Sequence, residues 1–98
     1  MKSLIAILSL ALSGTALADQ ALAQKNMCLA CHAVDTKLVG PAYKDVAAKY
    51  RNQKDSVSYL VNKIKNGGSG VWGVIPMPAQ PQLSDKDAET LAKWILQK

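Results

Sequence analysis

Few of the residues that usually staple a small domain are present. Only two cysteines occur among the 98 residues, Cys28 and Cys31, and they stand too close together to close a useful disulfide loop. A single histidine, His32, added to those two thiols falls short of the four nitrogen or sulfur ligands of a structural zinc site. Arginine occurs once, at Arg51, and the lysines beyond Lys2 are scattered from Lys25 to Lys98 without a dense run. Nucleic-acid binding calls for a clustered basic stripe interleaved with arginine or aromatic residues, so that class is set aside. No alternating apolar and polar stretch marks a strand, no segment repeats, and none is of low complexity.

The first residues read differently from the rest. Lys2 supplies a positive charge, Leu4 to Leu12 form an apolar run, and Ala16, Leu17 and Ala18 place small residues at the usual cleavage positions. That order is the layout of a secretory signal. A membrane-spanning helix needs about 20 apolar residues, and this run is interrupted by Ser9, Ser13 and Gly14. Residues 1–18 are therefore expected to be a cleaved signal peptide. A soluble mature domain of 80 residues, 19–98, remains, located in the periplasm and not inserted in the membrane. Without Lys2 it carries 11 cations against 7 anions, a modest excess that would bias encounters toward acidic partners. Eighty residues make a thin core. With no disulfide to help, a covalently held cofactor is the natural source of the missing stability.

Helical signals run through the mature chain. Asp19 to about Ala33 suits a helix leading straight into the cysteines, and Val34 to Pro41 a connector ending on the turn pair Gly40-Pro41. Tyr43 to Tyr50 suits a short helix, with the preceding proline favourable at a helix start. Between Asp55 and Asn66, Val57, Leu60, Val61 and Ile64 fall on one face at helical spacing. Asp55 or Ser56 can cap that helix, Gly67 can end it, and Lys63 and Lys65 suit the negative end of its dipole. Ser84 to Gln97 is the clearest helix, capped by Ser84 with Asp87 in the capping-box position and with Ala88, Leu91, Ala92 and Ile95 on its buried stripe. Gly67 to Gln82 differs in kind, holding four of the six glycines and three of the four prolines. A loop that long in so small a domain is functional or disordered, and Trp72, Val74, Ile75 and Met77 argue that it packs on something. The fold expected is all-α, with four to five helices.

Cys28-Leu29-Ala30-Cys31-His32 reads as C-x-x-C-H, the attachment motif of c-type haem. Two thiols three residues apart on a helical turn can add to the two vinyl groups of the porphyrin. Histidine directly after the second thiol then lies beneath the iron. Such attachment takes place outside the cytoplasm, in agreement with the signal peptide. A thioredoxin-like redox pair would need a strand-to-helix junction in a βαβ setting, and no strand is apparent. One covalent haem c, held through two thioether bonds, is therefore the expected cofactor.

With His32 the only histidine, bis-histidine ligation within the chain is excluded. Met1 leaves with the signal peptide, and Met27, next to Cys28, is pinned on the attachment side. Met77 remains, 45 residues beyond His32 and framed by Pro76 and Pro78, which stiffen the chain on either side. A thioether opposite histidine raises the potential of the iron. With both axial positions filled the chain is expected to carry electrons and not to be an enzyme. The alternative is a haem-based sensor or peroxidase in which the sixth ligand is displaceable.

The chain resembles the small bacterial class I cytochromes c, in particular the cytochrome c-551 (c8) family, over nearly all of its mature length. The resemblance is carried by Cys28 to His32, Val39 to Lys49, Ile64 to Gly67, Gly70 to Gly73, Ile75 to Pro78 and Leu91 to Trp94. It implies a monomeric periplasmic carrier of respiration or denitrification. The electron donor would be a membrane-bound cytochrome complex, and the acceptor a cytochrome cd-type nitrite reductase or a terminal oxidase. It also implies His32 and Met77 as axial ligands of the iron, and a Pro41 carbonyl that accepts the imidazole N–H. Trp72 would donate its indole N–H to a haem propionate, and Lys63 would neutralise that propionate where relatives commonly use arginine. Family members often carry asparagine three residues after the ligand methionine, in contact with the sulfur. Gln80 stands there in this chain.

Overall fold

A computed structural model describes residues 18–98. The signal peptide expected at 1–18 lies outside the described residues except for Ala18. Four α-helices and one short 3₁₀ turn make up the regular structure among them. They are α1 at residues 18–25, the 3₁₀ turn at Cys28–Ala30, α2 at Tyr43–Tyr50, α3 at Ser56–Asn66 and α4 at Asp85–Leu96. No strand occurs among the described residues, and the architecture is all-α. None of these helices is long and apolar enough to cross a membrane.

Helix α4 is the centre of the packing. Its N-cap Ser84 accepts the Asp87 N–H on Oγ at 3.1 Å, with Asp85 and Asp87 in the first turn where the helix dipole favours anions. One face buries Ala88, Leu91, Ala92 and Ile95, and Trp94 joins them at 3 % exposure. Helices α2 and α3 both pack on this face. The alanines allow close approach, while Leu91 and the edge-on pair Tyr43–Trp94, with ring centroids 5.5 Å apart, fill the space between. Ser84→Ala should cost about 1 kcal/mol by removing the cap, seen as a lower denaturant midpoint with an unchanged slope.

Helix α3 follows the sequence pattern closely. Leu60 and Ile64 are buried, Val57 and Val61 pack against them, and Lys63 and Lys65 occupy the last turn. Asp55 precedes the helix in the left-handed conformation, φ 64°, and makes no side-chain cap. Gly67 closes it at φ 70°, a conformation that favours glycine. Lys65 reaches across to Asp85 at the start of α4.

One boundary departs from expectation. The first helix does not run on through the cysteines. It ends at Asn26, whose N–H and side-chain Nδ2 both donate to the Leu22 carbonyl, at 3.2 and 2.9 Å. Met27 then turns left-handed, φ 65°, before the 3₁₀ turn begins. A left-handed residue just past a helix end redirects the chain, so the cysteines sit on a separate turn. Helix α2 covers the Tyr43–Tyr50 expected of it, and Pro41 precedes it without entering its first helical position. Ala42 is the N-cap of α2, and its carbonyl accepts the Asp45 and Val46 N–H groups, each at 3.1 Å. The Pro41 carbonyl is thereby left outside the helix and available to another donor.

Candidate haem site

The 3₁₀ turn carries the attachment motif. Its bonds run from the Cys31 and His32 N–H groups to the Cys28 carbonyl, at 3.2 and 2.9 Å, and leave both thiols half-buried. Burial pushes the Cys28 thiol up from its ordinary pKa, outweighing the hydrogen bond to Tyr43 that lowers it. The free side chain is accordingly a neutral thiol at neutral pH.

His32 is held from three directions. Its Nδ1 lies 2.7 Å from the Pro41 carbonyl oxygen. A carbonyl can only accept, so Nδ1 carries the proton and Nε2 keeps its lone pair for a metal. On one side the ring stacks on Tyr43, centroids 5.0 Å apart and planes inclined by 20°. Gly40 covers the ring closely, and a Cβ built there would fall 2.5 Å from Cε1 and 2.9 Å from Nδ1. Residues 38–41 are folded over the imidazole by two bonds, Gly40 N–H to the Cys31 carbonyl at 2.7 Å and Leu38 N–H to the Gly40 carbonyl at 3.1 Å. Gly40→Ala must push the imidazole out of this slot. The expected loss is about 1–3 kcal/mol, the usual cost of overpacking, together with a shifted absorption spectrum of the haem-loaded protein.

Met77 is placed by the Gly- and Pro-rich loop. Its N–H donates to the Gly68 carbonyl at 2.8 Å and its carbonyl accepts the Gly68 N–H at 3.1 Å, an isolated antiparallel bridge. Gly67 packs so closely beneath that any Cβ on it would overlap the Met77 carbonyl oxygen. Three residues on, the Gln80 N–H caps α3 through the Ile64 and Lys65 carbonyls, at 3.1 and 3.2 Å. The loop is thus irregular but tied to the end of α3 at both flanks of the methionine.

All seven residues singled out from the sequence meet around two adjoining cavities. The larger, about 570 Å³, is lined by Cys31, His32, Pro41, Lys63, Trp72 and Met77 among others. Behind it an apolar pocket of about 70 Å³ is lined by Cys28 and again by His32, Lys63 and Met77, with Leu60 and Leu91 as walls. Trp72 is no core residue. It is 42 % exposed at the cleft, with Lys49 Nζ 4.9 Å from its ring centroid. Lys63 Nζ lies 5.6 Å from the Tyr59 ring centroid. The Gln80 side chain is directed at Gln82, whose Nε2 donates to Gln80 Oε1 at 2.6 Å. Gly40, Tyr43, Lys49 and Tyr59 also shape the site, and none was singled out for it beforehand. The close approach at Gly40 follows a turn signal that was legible, but its contact with His32 arises only once the connector folds back.

This donor set fits one haem. It offers two thiols on one turn, an imidazole with a free Nε2, and a thioether from a distant loop. The cleft, largely apolar in its lining, is within the ordinary range for a cofactor of that size. The family model described as Cytochrome c matches residues 18–98. The chain belongs to the cytochrome c family. It is 58 % identical over 88 residues to cytochrome c-552 of Nitrosomonas europaea, a match covering 90 % of this chain and 85 % of that one. Its identity to cytochrome c-551 of Pseudomonas aeruginosa is 55 %, covering 93 % of each chain. The crystal structure of the wild-type N. europaea protein superposes with a TM-score of 0.77 at 59 % identity, over 80 % of this chain and 96 % of that one. The class 1 cytochrome MtoD of Sideroxydans lithotrophicus superposes with a TM-score of 0.72 at 31 % identity, covering 82 % of this chain and 91 % of that one. This is a class I cytochrome c of the c-551 type, and it carries one haem c bound covalently through its two cysteines. That group supplies a one-electron iron couple. The polypeptide holds the donors, orients the imidazole and keeps the surroundings apolar.

Proposed function

We propose that this cytochrome c is a soluble, monomeric, periplasmic one-electron carrier, with His32 and Met77 as the axial ligands. The observation that carries the reading is that His32 and Met77 line both cavities, yet come from segments anchored independently of each other. A haem seated there would have a donor on each side. Nothing in the way these residues are held depends on the charge of the iron. The Pro41 carbonyl fixes the tautomer and direction of the imidazole, and the Gly68–Met77 bridge fixes the backbone from which the thioether projects. Little rearrangement is then required when an electron enters from a donor or leaves to an acceptor.

Trp72 and Lys63, both at the cleft wall, are suited to a haem propionate, through an indole N–H and a cation respectively. The family resemblance supports a membrane-bound cytochrome complex as donor, and a cytochrome cd-type nitrite reductase or a terminal oxidase as acceptor. The N-terminal charge and apolar run support export, with residues 1–18 removed. The exported protein should accordingly begin at Asp19.

An optical spectrum of the haem-loaded protein, oxidised and reduced, tests the ligation. A low-spin spectrum with the weak far-red band of methionine-ligated ferric haem, unaltered by carbon monoxide after reduction, is expected. A high-spin spectrum or ready binding of carbon monoxide would replace the carrier by a sensor or peroxidase.

A further inference from the structure

Three side-chain amides join the loop of Met77 to the segment of Cys28. Asn26 Nδ2 donates to the Leu22 carbonyl at 2.9 Å, which fixes the orientation of the amide, since its oxygen could not face a carbonyl. Asn26 Oδ1 then accepts from Gln82 Nε2 at 3.2 Å, across 56 positions of sequence. The same Nε2, which has two N–H groups, also donates to Gln80 Oε1 at 2.6 Å. Asn26 stands two residues before Cys28, and Gln80 three residues after Met77.

The backbone bonds that anchor the loop on either side of Met77 lead to one place. The Gly68–Met77 bridge and the Gln80 N–H both tie it to the end of α3. Neither connects it to the turn that carries Cys28, Cys31 and His32. The amide chain makes that connection. Gln80 and Gln82 follow Met77 by three and five residues, so a displacement of the loop that reaches them stretches the bond to Asn26.

We infer that Gln82, with Asn26 and Gln80, is a positioning residue for Met77, and that its bond to Asn26 sets how readily an outside donor replaces the thioether. The inference rests on the assignment of Met77 as axial ligand. It also accounts for glutamine at position 80, whose amide oxygen is committed to Gln82.

Imidazole binding to the ferric, haem-loaded protein is the test, followed by the loss of the far-red band. Gln82→Ala should bind imidazole about two- to tenfold more tightly, the range set by one net hydrogen bond. Gln82→Glu, which keeps the size but has no N–H to donate, should do the same. Combining Gln82→Ala with Asn26→Ala should raise affinity by less than the product of the single effects, because both remove one bond. Gln53→Ala removes a comparably exposed amide bond, to the Lys49 carbonyl on α2, and should leave imidazole affinity unchanged. Unaltered affinity in both Gln82 variants, or an equal rise in Gln53→Ala, overturns the inference. If the unmodified protein lacks the far-red band or binds carbon monoxide on reduction, the assignment of Met77 itself fails, before any variant is compared.

Discussion

Met77→Ala is expected to turn the haem-loaded protein from low-spin to high-spin at neutral pH, to abolish the far-red band and to let the reduced form bind carbon monoxide. Alanine offers no donor atom, and no second soft donor stands ready. Met27 is 71 % exposed on the far side of the attachment turn, fixed by a left-handed backbone between Asn26 and Cys28. The reduction potential should fall markedly, since the axial ligands move haem potentials over a range of roughly 0.8 V and a thioether favours the reduced iron. The fold should survive. Met77 is only partly buried, and its backbone bonds to Gly68 do not need the side chain. Met77→His gives a useful contrast, expected to stay low-spin with a lowered potential. Potentiometry and spectra of the two variants together check the assignment. A far-red band persisting in Met77→Ala would sink it.

What could be read from the chain, and what could not, divides along the distance over which each feature is determined. The motif Cys28 to His32 is contiguous, and its chemistry follows from spacing alone. The Ser84 cap and the Gly67 terminus are equally local, each requiring only the side-chain oxygen or the positive φ of one residue. The stripe of α4 was legible for Ala88, Leu91, Ala92 and Ile95, whereas the burial of Trp94 depends on Tyr43 arriving edge-on from α2. The stop at Asn26 was hidden because a helical pattern continues through Leu29. What ends the helix is the asparagine side chain folding back on Leu22, joined to a left-handed methionine that propensity would not place there. Pro41 was visible as a turn residue. That it stands just outside α2, with its carbonyl free for His32, follows from Ala42 taking the cap. Likewise Gly40 marked a turn, while its contact with the imidazole is a product of tertiary folding. Lys49, on the exposed edge of α2, carries no sequence signal for its place over Trp72. Such positions are set by where segments meet, and no periodicity within one segment encodes them.

The largest loss of all is expected from Cys28→Ala combined with Cys31→Ala, which should leave little or no folded, coloured protein. Without the thioethers, the proposed ligands His32 and Met77 would have to retain the haem by coordination alone, in competition with every other donor nearby. The polypeptide is poorly equipped to hold its shape unaided. Its buried core is small and centred on α4, and among the described residues Leu91 is the one large side chain below 2 % exposure. Around the cleft, Leu38, Val39, Val71, Val74 and Ile75 are between 44 and 92 % exposed on the polypeptide. Covering one such side chain fully stabilises by about 1.5–3 kcal/mol. Covering even three of the five is comparable with the whole stability of a small domain, about 5–15 kcal/mol. A group that binds only the folded chain therefore holds the folding equilibrium, and a covalent bond makes its local concentration permanent. The single variants Cys28→Ala and Cys31→Ala should fall between, each with one thioether and a lower unfolding midpoint. Circular dichroism of the doubly substituted protein, expressed as the full 98-residue chain, gives the check: helical content and a cooperative transition equal to those of the unsubstituted protein would show that the helices, and not the tethered haem, carry the stability of the fold.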